Sequence, residues 1–149
     1  MRPGDLAPDF TLRDQHGVEQ SLSDLLTGGP VVLFFYPAAM TTCCTKETCH
    51  FRDLRAQFAE VGAQRVGISM DTVDKQSAFS AANDLDYPLL SDLGGRVAKS
   101  YGVKRALGVL RVKRTTFVIG TDRRIVEVIS NEFNMNVHAD RALAALRAS

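Results

Sequence analysis

PVVLFFYPAAMTTCCTKETCHFRD, residues 30–53, changes character halfway along. Its first part, PVVLFFYP, is a short apolar run rich in β-branched and aromatic residues, the pattern of a strand buried on both faces. From Thr42 the composition turns helical, and the spacing predicts one helix to Glu60, closed by Gly62. A buried strand that hands directly over to a helix is the repeating unit of α/β architecture. All three cysteines of the chain, Cys43, Cys44 and Cys49, fall in that handover.

Working outward, RVGISM reads as a second buried strand, and DKQSAFSAAND as a helix with Phe79 and Ala82 on one face. YPLLSD is short and extended, and GGRVAKSYG holds a brief helix. TTFVIG and IVEVIS alternate around the polar turn TDRR as an antiparallel hairpin, and HADRALAALRAS closes the chain as a helix. Ahead of the first buried strand, DFTLRDQHGVEQSL reads as an added hairpin turning at His16–Gly17. Helical crossovers make the first strands parallel, and the late hairpin contributes antiparallel ones. The expected fold is therefore α/β and thioredoxin-like in order: a mixed central sheet flanked by helices, with an N-terminal hairpin extension, as one domain over residues 1–149.

At 149 residues and 45% hydrophobic content the chain is large enough for a substantial core. A formal charge of +1 gives no general attraction to nucleic acid or membranes. The apolar run VVLFFYPAAM is about half the length of a membrane span and contains Pro37. MRPGDLAPDF lacks the apolar centre of a secretory signal, so a cytoplasmic location is expected, where cysteines serve catalysis or metal binding more than stapling. The basic cluster VKRALGVLRVKR carries Lys104, Arg105, Arg111, Lys113 and Arg114 but no aromatic platform, and reads as a solvated loop. His16, His50 and His138 read as turn or surface residues.

With Thr41 as N-cap, Cys44 occupies the third position of the predicted helix, where unpaired N–H groups and the helix dipole favour an anion. An ordinary thiol is only about 3% ionised at neutral pH, so full ionisation raises reactivity about thirty-fold at most. Nucleophilicity falls with basicity, which trims that gain. Something must also stabilise the departing charge. On a helical wheel Cys44, Glu47, Phe51, Leu54, Phe58 and Val61 form one inward stripe, while Cys49 lies opposite. An outward thiol is either functional or a tolerated small residue. Five helical residues separate the Cα atoms of Cys44 and Cys49 by roughly 8.5–9 Å, and a disulfide needs less than about 7 Å, so pairing requires the first turns to unwind. Glu47, a carboxylate on the apolar stripe, must find a cation or backbone N–H near the site, or else snorkel past the helix end. Cys43 reads as a bystander.

These residues resemble a known family. Pro37-Ala-Ala-Met-Thr41-Thr-Cys-Cys44 is similar to the Pro-x-x-x-Thr-x-x-Cys pattern of the peroxiredoxins, and GDLAPDFTL, VVLFFYP, CTKETC, GISMD, YPLLSD and RTTFVI resemble family segments in order along nearly the whole chain. The Cys44-x-x-x-x-Cys49 spacing resembles the peroxiredoxin Q, or bacterioferritin comigratory protein, group. The resemblance implies a thiol peroxidase in which Cys44 is the peroxidatic nucleophile and Cys49 resolves it. It also implies that Thr41 bonds peroxide and thiolate, Pro37 shields the site, and Arg114 stabilises charge; alone, Arg114 would read as an ordinary flanking cation. Glu47 would support them. The implied partners are a hydroperoxide substrate and a thioredoxin-like or glutaredoxin-like reductant, with no cofactor, metal, nucleic acid or membrane, in a monomer or weak dimer. Two departures stand out: Thr42 replaces the proline common after the threonine, and Cys43 stands where a small non-thiol residue is common.

Other classes fit less well. Cys43, Cys44, Cys49 and His50 could form a Cys3His zinc set, but adjacent ligands and a four-residue gap match no usual knuckle. A disulfide reductase would need Cys-x-x-Cys at the helix start, which is absent. A redox-sensing interaction protein could use the same thiol switch.

Overall fold

The computed structural model describes residues 1–105 and 112–148. Seven strands form one sheet in the order β2-β1-β5-β4-β3-β6-β7. The central strands are β3 (Val31–Phe35), parallel to β4 (Gln64–Ser69), which is parallel to β5 (Leu89–Ser91). On the other side of β3 runs β6 (Thr115–Ile119), antiparallel, followed by β7 (Ile125–Ser130) as the expected hairpin. The N-terminal hairpin β1 (Thr11–Arg13) and β2 (Glu19–Ser21) turns where the sequence places it, with Gly17 at φ 76°, and extends the sheet through Arg13 opposite Ser91.

The period of two along β3 sorts the core into two layers. Val31, Leu33 and Phe35 pack with α1 (Leu22–Leu26) and α5 (Arg96–Ser100), alongside Tyr101 and Phe117. Val32, Phe34 and Tyr36 face α2 (Thr42–Asp53), α3 (Arg55–Glu60), α4 (Val73–Asn83) and α6 (Asn136–Ala148). Cys44 belongs to this second layer. Phe34 stacks on Phe51 at 4.1 Å, which ties α2 to the sheet. Gly67 on β4 makes room there: a Cβ would lie 2.8 Å from Leu89 and 3.0 Å from Phe34. No helix among the described residues is long and apolar enough to cross a membrane.

Three expectations change. The single helix from Thr42 to Glu60 is two, broken at Leu54 (φ −91°, ψ 20°). The Arg65 guanidinium donates to the Phe51 carbonyl at 2.9 Å, the acceptor that the next helical turn would use. On α4, Ala82 is exposed, and Phe79 is accompanied inward by Gln76 and Ser80 instead. Gln76 is buried because its amide donates to the Leu90 carbonyl and to Ser69, and accepts from the Tyr36 hydroxyl. The short helix α1, capped by the Ser21 hydroxyl accepting from Asp24 N at 3.2 Å, was not expected at all. Part of the basic loop, including Arg111, lies outside the described residues.

Candidate active site

The site forms where β3 ends and α2 begins. Between them the loop at residues 37–41 is pinned by two contacts: Tyr36 N donates to the Ile68 carbonyl at 3.0 Å, and Ala39 N to the Asp71 carboxylate at 2.7 Å. Met40 takes a left-handed backbone, φ 65°, which turns the chain sharply into the helix. Thr41 is the N-cap by backbone geometry (φ −94°, ψ 154°), so Cys44 sits in the first turn as the sequence predicts. Its side chain does not cap the helix; the hydroxyl donates to the Ala38 carbonyl at 2.9 Å. That commits its one proton and leaves its oxygen free to accept.

Cys44 is 1% exposed. Arg114, at the start of β6, donates through Nη2 to the Cys44 Sγ at 3.2 Å and through Nη1 to the Glu47 Oε1 at 2.9 Å. One guanidinium thus faces two acids of the same helix. Glu47 does not snorkel: it is 0% exposed. Burial pushes its carboxyl up to about 8, and Arg114 pulls it only part of the way back. Burial also works against the charge of Arg114, but Glu47 and then Cys44 more than offset it, and its pKa is raised. The Arg114 backbone is fixed as well, its N–H donating to Glu132 Oε1 at 3.0 Å, and Glu132 is paired with Arg105 at 2.9 Å.

Above the sulfur lies a mostly apolar cavity of about 480 Å³ lined by Pro37, Ala38, Thr41, Thr42, Cys43, Cys44, Arg105, Arg114, Glu132 and Phe133. Pro37, Thr41, Cys44 and Arg114 therefore meet in one place, with Glu47 behind them. Cys49 is elsewhere. It lies half-buried on the far side of α2, its Sγ 3.6 Å from Asn83 Oδ1 on α4. Cys43 is exposed at the cavity. His50 pairs with Asp140 at 2.8 Å, and no group of His, Cys, Asp and Glu among the described residues is arranged to hold a metal ion.

His138 corrects the sequence reading. It is 0% exposed, not a surface residue, and its Nε2 lies 3.5 Å from Glu47 Oε2. The same Nε2 is 2.8 Å from the Asn131 carbonyl, which can only accept, so Nε2 carries a proton, and Nδ1 lies 2.8 Å from the Thr116 hydroxyl. Burial, with Arg114 nearby, lowers its pKa. The signal was present: His138 shares the inward stripe of α6 with Ala139, Ala142, Leu143 and Leu146. The sequence reading gave no role to Glu132, which belongs to no motif, or to Asp71, which closes the GISMD segment; only the folded loops bring them to the site.

The AhpC/TSA family pattern matches residues 3–128. A protein named as a peroxiredoxin in Mycobacterium tuberculosis is 61% identical over 150 residues, covering 99% of this chain and 97% of its own length. This chain belongs to the AhpC/TSA family of peroxiredoxins. The crystal structure of the peroxidoxin BcpB from M. tuberculosis superposes on this peroxiredoxin with a TM-score of 0.96 at 61% identity, covering 99% of this chain and 97% of that one. A bacterioferritin comigratory protein of Xanthomonas campestris, described for its alkyl peroxide reduction activity, gives a TM-score of 0.85 at 29% identity, covering 93% and 90%. The peroxiredoxin is thus a thiol peroxidase of the peroxiredoxin Q and bacterioferritin comigratory type, which acts on peroxides and draws electrons from a thiol reductant.

Glu47 and His138 give this peroxiredoxin opposite pH windows of stability. A carboxyl raised from 4.5 to about 8 favours the folded state fully below about pH 4.5, and that contribution is lost as pH rises through 8. A histidine depressed below 6.5 favours the fold above 6.5 and loses that contribution as pH falls. Denaturant titrations across pH will show the first slope, at most about 1.4 kcal/mol per pH unit, and Glu47→Gln will remove it.

Proposed function

We propose that the peroxiredoxin reduces hydrogen peroxide and organic hydroperoxides through a Cys44 sulfenic acid and a Cys44–Cys49 intramolecular disulfide, recycled by a thioredoxin-type protein or a glutaredoxin. The observation that carries this is the Arg114 guanidinium 3.2 Å from the Cys44 sulfur at the floor of an open cavity. The Cys44 thiolate attacks the nearer peroxide oxygen, forming the S–O bond as the O–O bond breaks. Arg114 and the helix N–H groups stabilise the charge that moves to the departing oxygen, and the Thr41 oxygen accepts the peroxide O–H. The leaving alkoxide or hydroxide takes a proton, and Cys44 is left as sulfenic acid. The cavity's apolar wall, with Phe133 96% exposed at its edge, suits the carbon chain of an organic hydroperoxide, as the activity described for the Xanthomonas relative also supports.

Resolution then needs one thiol to travel. The C-terminal half of α2 is held by Arg65 on the Phe51 carbonyl at 2.9 Å, Tyr87 on the Thr48 carbonyl at 2.7 Å, and Arg52 on the Asn83 carbonyl at 2.6 Å. Its first turn is held by bonds within α2, Thr45 on the Thr41 carbonyl and the Thr48 hydroxyl on the Cys44 carbonyl at 2.9 Å, and among the described residues Arg114 is its hydrogen-bond partner from another element. Cys44 is therefore the half that moves, towards a Cys49 that stays. Hydrogen exchange on the oxidised protein will show lost amide protection at residues 45–48 and retained protection at 51–53. Condensation of sulfenic acid with the Cys49 thiol forms the disulfide and releases water. Exchange with a dithiol returns both thiols. Three free thiols suit a reducing compartment, and we place the enzyme in the cytoplasm.

The test is hydroperoxide turnover with reduced thioredoxin or glutaredoxin as sole electron donor. Sustained turnover with either agrees with the proposal. Consumption of one equivalent followed by arrest with both would overturn the recycling step.

A further inference from the structure

We propose that Cys44 and Glu47 hold a single negative charge between them opposite Arg114, so that the reactive thiolate coexists with a protonated Glu47. This deepens the peroxidase reading and rests on Cys44 ionising in the site. The geometry sets the constraint. Arg114 is 4% exposed and bonds both acids, at 3.2 Å to Sγ and 2.9 Å to Oε1. Two anions on one buried cation would leave a net buried charge, which costs several kcal/mol.

No other cation among the described residues relieves it. The groups facing Glu47 among the described residues are Arg114 ahead of β6, Cys44 on its own helix, His138 on α6, Glu132 after β7, and the Tyr87 phenol, which burial keeps neutral. His138 points its Nε2 proton at the Asn131 carbonyl, and burial, which lowers its pKa, favours the neutral ring. Glu132 adds repulsion, and its own partner is Arg105. The second Glu47 oxygen, Oε2, has no hydrogen-bond partner among the described residues. An ionised carboxylate stripped of water on one oxygen is more costly there than a neutral acid with the same atom unpaired. Burial acting on the carboxyl pushes in the same direction.

The balance of the reaction follows. Before attack the site holds a thiolate, a carboxylic acid and a guanidinium, with zero net charge. Attack on ROOH converts the thiolate to neutral sulfenic acid and releases RO⁻. Arg114 is left with Glu47 as its only acidic partner, so the carboxyl gives up its proton. One proton lost by Glu47 equals the one gained by the alkoxide, and the site again has zero net charge. Glu47 touches neither substrate nor the reacting atoms, and is a positioning residue whose charge follows that of the sulfur.

Infrared difference spectra of protein carrying ¹³C-labelled glutamate read the carboxyl directly. Reduced wild type at neutral pH will show a buried carboxylic-acid C=O band that Glu47→Gln removes. Cys44→Ser, and Cys44→Ala as a second variant, leave Arg114 to Glu47 alone, and the band will titrate away at lower pH than in wild type. Absence of the band in reduced wild type would overturn the proposal, as would a band that titrates at the same pH in wild type and in both Cys44 variants. A peroxidase that turns over with an ionised Glu47 would refute the shared charge and leave the peroxidase reading intact.

Discussion

Cys44→Ser will consume hydroperoxide no faster than free solution does, a loss of at least about 10⁴-fold in the second-order rate constant measured by stopped flow. A serine hydroxyl keeps its proton under the conditions that ionise a thiol, so the nucleophile itself is gone. Arg114, Thr41 and the cavity remain, yet they only stabilise a charge that no longer develops. The fold will survive. Cys44 is 1% exposed in the second core layer, and exchanging sulfur for oxygen there costs about 1–2 kcal/mol, which thermal melts will register as a modest shift. The same assay on Cys43→Ser will stay close to wild type, because that thiol is exposed and the Arg114 guanidinium bonds Cys44 and Glu47 instead.

Arg114→Met has the next largest effect. It removes the donor to Sγ and the cation opposite Glu47 while keeping the length of the side chain. Removing one donor aimed at developing charge costs about 100- to 1,000-fold, and the rate constant will fall by that factor. Lysine will restore only part of it, since a point charge cannot bond sulfur and carboxylate at once as the fork does. Stability tells the two roles of Arg114 apart. In Arg114→Met the Glu47 carboxyl is buried without any cation and must take up a proton for the chain to fold, so adding Glu47→Gln to Arg114→Met will recover stability but not rate. Equal recovery of both in the double variant would mean that Arg114 acts only by packing.

Much of this site can be read from the sequence because its signals are local. The run from Val31 to Phe35 is apolar at every position, which is what a strand buried on both faces requires, and the pattern after Thr41 sets the helix start. Cys44, Glu47, Phe51 and Phe58 share a face by spacing alone, and all four are buried. A carboxylate on that face implies a cation nearby, but only the family resemblance points to Arg114, 67 positions from Glu47. What stayed hidden is long-range. The break at Leu54 comes from Arg65, whose guanidinium takes a carbonyl of α2. Gln76 goes inward, where Ala82 does not, because Tyr36, Ser69 and Leu90 supply partners that no helical wheel contains. His138 was misread because histidine is usually found at surfaces and turns; Thr116 and Asn131 make its burial possible.

The most direct measurement is peptide-resolved mass spectrometry after one equivalent of peroxide, on wild type and on Cys49→Ser. Wild type will yield a Cys44–Cys49 crosslink within one chain. Cys49→Ser, its moving thiol left with nowhere to go, will carry one added oxygen on the Cys44 peptide. Oxygen on Cys43, or a crosslink that includes Cys43, would contradict the account.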